Sequence, residues 1–152
     1  NRYEKKKKSS AGGNMSKSEQ YLSALDEKGL FVSSGHKTRF KELVDCYGAY
    51  PFFTKGLCKC MYLSAWDEEH FAMILEILSD LAIGRERDTQ EMRLQGDVLA
   101  GQQKGGEYYV FQLSNAFLDG EQFVLKGDED ISEQIRYIIR QALKAEQVID
   151  SI

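Results

Sequence analysis

EYYVFQL, residues 107–113, and EQFVLK, residues 121–126, decide how the rest of this chain is drawn. In the first, Tyr109, Phe111 and Leu113 alternate onto one face, and in the second Phe123 and Leu125 do. Both stretches are rich in aromatic and β-branched side chains, and Asp119-Gly120 between them has the chemistry of a tight turn. The alternation predicts a β-hairpin, with Val98–Gly101 as a third strand. Upstream, residues 85–103 read either as a polar helix reaching about Leu94 or as the start of a small sheet near Asp97. Glycines at 96, 101, 105 and 106 favour turns there.

Around this segment the period is helical. Tyr21, Leu22 and Leu25 recur at helical spacing between Glu19 and Lys28, with Ser16 or Ser18 as caps and Gly29 as a stop. Phe40, Leu43, Val44 and Tyr47 fall at i, i+3, i+4 and i+7; Thr38 is placed to cap them, with the SSGH stretch before it read as a loop. Pro51 suits a first helical position. Residues 52–65 are apolar nearly all round, as in a central helix, although Gly56 weakens that pattern. Asp67 heads the clearest helix start, with Glu68 and Glu69 at the positive end of the dipole and Trp66 set to staple against Phe71. At the C-terminus, Asp130 and Glu133 form a capping pair. Beyond them, Ile131, Ile135, Ile138, Ile139, Ala142, Leu143 and Ile149 make one stripe, which either the hairpin or a second copy of the chain must cover. The expected fold class is α+β: a mainly helical single domain with a β-hairpin or small antiparallel sheet before a long C-terminal helix. Its boundaries are 15–152, preceded by a flexible basic extension or linker at 1–14.

Charge narrows the functions open to such a domain. The first twenty residues hold six Lys or Arg against two Glu, while the remaining 132 hold fourteen against twenty-two Asp or Glu. An acidic body makes a poor DNA or RNA binder, because nucleic-acid affinity comes mostly from neutralising phosphates. Nothing approaches a membrane span, and three cysteines cannot form a disulfide framework that uses all of them. A cytoplasmic setting without membrane association is the expectation.

Cys58, Cys60 and His70 are the residues with reactive potential. On a helix the two thiols stand about 200° apart and cannot grip one ion together. Neither the paired knuckles of a zinc site nor a phosphate loop nor an EF-hand frame is present, so no metal or cofactor is expected. A thiol nucleophile needs a histidine in reach, and His70 is already accounted for by the Asp67 cap. Lys59 would lower a thiol pKa if both were exposed. Burial is the simpler account of the cysteines.

Three functions follow, in this order. The first is a non-catalytic interaction or regulatory protein, an adaptor or inhibitor, docking a basic or nucleic-acid-handling protein partner through acidic residues such as Asp128, Glu129 and Asp130. The second is a winged-helix-like DNA-binding regulator, which forms a homodimer through the C-terminal helix. The third is a small cysteine-dependent enzyme.

Overall fold

The protein's computed structural model describes residues 16–84, 106–127 and 130–152. Among these residues, six helices account for the regular structure: α1 (Lys17–Glu27), α2 (Ser34–Tyr47), α3 (Lys55–Ser64), α4 (Glu68–Ala82), α5 (Gly106–Asp119) and α6 (Glu133–Asp150). No strand occurs among the described residues: the described fold is all-helical, which contradicts the expected α+β class.

The error lies in the stretch quoted first. Residues 107–113 belong to α5, whose buried residues Val110, Leu113, Ala116 and Phe117 recur every three or four positions. A seven-residue window shows only the alternation; the helical period emerges when SNAFLD is included. Asp119-Gly120 is not a hairpin turn but the end of that helix. Gly120 takes φ +70°, its N–H donates to the Phe117 carbonyl, and the Glu121 N–H donates to the Ala116 carbonyl at 2.9 Å, the paired bonds of a Schellman stop. Residues 121–126 are irregular, without strand pairing. Residues 1–14, the Val98–Gly101 strand and the choice posed for 85–103 fall outside the described residues.

Several starts lie in a different register from the expected one. Ser33, not Thr38, caps α2, accepting from the His36 N–H at 3.0 Å, so SSGH supplies the helix's first turn. Thr54 caps α3 by accepting from the Leu57 N–H. Pro51 lies earlier, inside the turn closed by the Phe53 N–H on the Tyr50 carbonyl, where its fixed φ is equally welcome. Ser132, not Asp130, caps α6. Asp67 caps α4 and Ser16 caps α1, the latter with Glu19 in a reciprocal capping box.

Helix α3 is the axis of the molecule. It packs against α2, α4, α5 and α6, while α1 rests on α2 and α6. Its seven consecutive residues from Leu57 to Leu63 are all buried, which explains a sequence apolar on every side. Gly56 is what lets α5 come so close: a Cβ there would stand 2.6 Å from the Phe117 carbonyl oxygen. The α6 stripe lies against α1, α3 and α5, with Ile138, Ile139, Ala142 and Ile149 buried. It is therefore covered within one chain and needs no second copy.

Polar side chains fix these contacts. Lys59 is buried despite its charge. It is 8% exposed and reaches Asp150 at 2.7 Å and Glu146 at 3.6 Å, while Lys55 donates to the carbonyls of Asp150 and Ile152. Two cations of α3 thus hold the negative C-terminal end of α6. Between α2 and α3, His36 Nε2 donates to the Tyr62 carbonyl at 2.7 Å, its Nδ1 accepts from the Val32 N–H, and the Tyr62 hydroxyl donates to the Leu30 carbonyl. Arg39 donates to the carbonyls of Ala65 and Trp66 at 2.7 and 2.8 Å, securing the turn that leads into α4.

Candidate functional site

Of the three residues named as a reactive group, only two share a site, and not in a reactive arrangement. Cys60 and His70 line the same small cavity, while Cys58 lies elsewhere on α3. Both thiols are buried. Burial pushes each far above the ordinary thiol range, and the nearby Lys59 ammonium only weakly opposes it. Cys60 donates its S–H to the Ser114 carbonyl of α5 at 3.3 Å, so the sulfur serves the α3–α5 contact. Cys46 is the exposed cysteine.

His70 has both ring nitrogens engaged. Nδ1 lies 2.7 Å from Asp67 Oδ1, the oxygen that also accepts the His70 backbone N–H, and Nε2 lies 2.7 Å from Glu107 Oε2. A neutral imidazole has one N–H and could satisfy only one carboxylate; an imidazolium satisfies both. Burial opposes the charged ring, but Asp67 and Glu107 together outweigh it and hold the pKa above the usual histidine value. In its protonated form, bridging both carboxylates, His70 has no lone pair to take a proton from a thiol. What it does is tie the start of α4 to the first turn of α5. The cap to Asp67 was legible in sequence, whereas Glu107 was missed because it lies 37 positions away on a segment taken for a strand. His36 is the opposite case: burial first, with Arg39 adding to it, draws its pKa down to about 4 against the raising effect of the Tyr62 carbonyl.

From the His70 bridge a groove runs between α4 and α5 over α3. His70, Met73, Ile74 and Ile77 line it from α4 at i, i+3, i+4 and i+7, and Val110, Phe111, Ser114 and Leu118 line it from α5. The cavity at its centre measures about 50 Å³, well below the roughly 300–1,000 Å³ of a small-molecule site. Among the described residues, no three His, Cys, Asp or Glu side chains are grouped to hold a metal ion.

The two helices flanking this groove carry Glu68, Glu69, Glu76, Asp80, Glu107 and Asp119 and no lysine or arginine. Several cations of the other helices are occupied: Arg39 at the Ala65 and Trp66 carbonyls, Lys41 with Asp45 at 2.6 Å, and Lys37 with Asp26 at 2.9 Å. Of the acidic cluster proposed from sequence, Asp128 and Glu129 lie outside the described residues. Asp130 is exposed, at the edge of a second, open depression formed by Tyr108, Tyr109, Gln112, Phe123, Val124 and Lys126. No described helix is long and apolar enough to cross a membrane. Compared with protein-family models, curated proteins and solved structures, the chain matches none of them.

Proposed function

We propose that the protein is a non-catalytic interaction protein that engages a basic protein partner through the face formed by α4 and α5. One observation carries this reading: two adjacent helices present carboxylates without a single lysine or arginine, around a groove of half-buried apolar side chains. Such a face steers cationic partners and repels phosphate backbones. Asp130 extends the acidic surface beyond the groove. The thiols contribute packing, and His70 contributes the join between the two helices. The hairpin that motivated the winged-helix reading is absent among the described residues: 107–113 lie in α5 and 121–126 are irregular.

Affinity for an arginine-rich peptide and for random duplex DNA, measured by fluorescence polarisation at low and high salt, tests the proposal. Peptide binding that weakens as salt rises, with no DNA binding at low salt, is the expected result. DNA binding, or peptide affinity indifferent to salt, would overturn it.

A further inference from the structure

Which basic partner fits is a question of shape as well as charge. We propose that the α4–α5 groove receives an amphipathic cationic helix of the partner, its apolar face on Met73, Ile77, Phe111 and Leu118 and its cations against Glu69 and Glu76. This rests on the acidic-surface function proposed above and adds the secondary structure and the seat of the ligand.

Met73, Ile77, Phe111 and Leu118 are each half-buried, so they retain apolar surface for a visitor to cover. The methionine side chain adapts to differently shaped anchors, as helix-binding grooves require, and the phenylalanine ring supplies a large apolar surface. The spacing on α4 gives one continuous apolar wall, and a cavity of about 50 Å³ suits the tip of an anchoring side chain rather than a cofactor.

The rim supplies the complementary charge. Glu69 and Glu76 lie about 40° and 60° around the α4 axis from Met73, and both are exposed. They form an acidic edge beside the apolar wall, facing where the flanks of a docked helix would run. At the start of α5, Glu107 adds a carboxylate to the site, bound to His70. A second copy of this chain would bring carboxylate against carboxylate on the same face, and a nucleic acid would bring phosphates against them. A cationic helix meets neither objection.

The test uses the full chain with two fluorescein-labelled peptides of about 18 residues, five helical turns. They share one Leu/Lys composition; one is ordered as an amphipathic helix and the other scrambled. Anisotropy is read at about 50 mM and about 500 mM salt. The amphipathic peptide is expected to bind at least about tenfold more tightly than the scrambled one, a difference of about 1.4 kcal/mol. Met73→Ala and Phe111→Ala should each weaken it about tenfold, as for buried interface anchors. Glu69→Gln with Glu76→Gln, at exposed positions that leave the core untouched, should reduce its affinity and flatten its salt dependence. Melting curves identify any variant that has lost its fold, and for those the glutamate pair decides. Equal affinity for both peptides, or no response to the groove substitutions, refutes the groove while leaving the acidic surface standing; no response to the rim pair counts against both. Failure of both peptides to bind at low salt refutes both.

Discussion

Gly56→Ala separates two effects of opposite sign. By helix propensity alone the substitution stabilises α3 by about 1 kcal/mol. In the folded protein the new Cβ would stand 2.6 Å from the Phe117 carbonyl oxygen, 3.4 Å from its carbon and 3.5 Å from Leu118 Cα, all backbone atoms of α5. Carbon–oxygen contacts are comfortable near 3.3–3.6 Å, so the two helices must part by roughly 0.7 Å or more. Overpacking of this kind costs about 1–3 kcal/mol. Here it also disturbs the carbonyl that receives the Gly120 N–H at the end of α5. The net expectation is a loss of about 1–2 kcal/mol, or a few degrees in melting temperature for a chain of this size. Urea unfolding followed by circular dichroism measures it, with the midpoint falling at an unchanged slope. A variant as stable as the parent, or more so, would show that α3 and α5 do not cross at this closeness.

The two histidines respond to pH in opposite directions. His36 has a folded pKa of about 4, below its unfolded value of about 6.5, so folding excludes a proton. Stability should fall as pH drops from 6.5 towards 4, by an amount on the order of 3 kcal/mol if this group acted alone, and the unfolding midpoint across that range reads it. His70 has a raised pKa, so its contribution is complete below about pH 6.5 and fades as pH climbs through the folded value. His70→Gln should accordingly destabilise the protein more at pH 6 than at pH 9; an equal loss at both would contradict a charged bridge to Asp67 and Glu107. For the thiols, Ellman titration of the native protein should find Cys46 reacting promptly and Cys58 and Cys60 only on denaturation. A second prompt equivalent would restore the thiol-enzyme reading.

Local signals could be read wherever the controlling residues are neighbours in sequence. Asp67 with its two glutamates announced α4, and the isoleucines of the C-terminal stretch announced α6. The apolar run of residues 52–65 announced a central helix, despite Gly56 and the lysine at 59. The lysine's burial was not legible because its partners, Glu146 and Asp150, come about ninety positions later. The failure at 107–113 has a different origin. Tyrosine, valine and phenylalanine favour strands through packing on a pleated face, a preference that tertiary burial overrides. Burial against α3 and α6 rewards Val110, Leu113 and Phe117 at helical spacing instead. The caps at Ser33 and Ser132 each had a rival of similar chemistry nearby, Thr38 and Asp130, and only packing selects between them. The groove was invisible for the same reason as the His70–Glu107 contact: it exists only once α5 is a helix lying beside α4.

Chemical-shift mapping on 15N-labelled protein, titrated at low salt with a cationic amphipathic peptide, tests the acidic α4–α5 face most directly. The expected shifts fall on α4 from Glu69 to Ile77 and on α5 from Glu107 to Leu118, and they revert when salt is raised. Shifts centred on α2 or α6, or spread evenly over the chain, would contradict it.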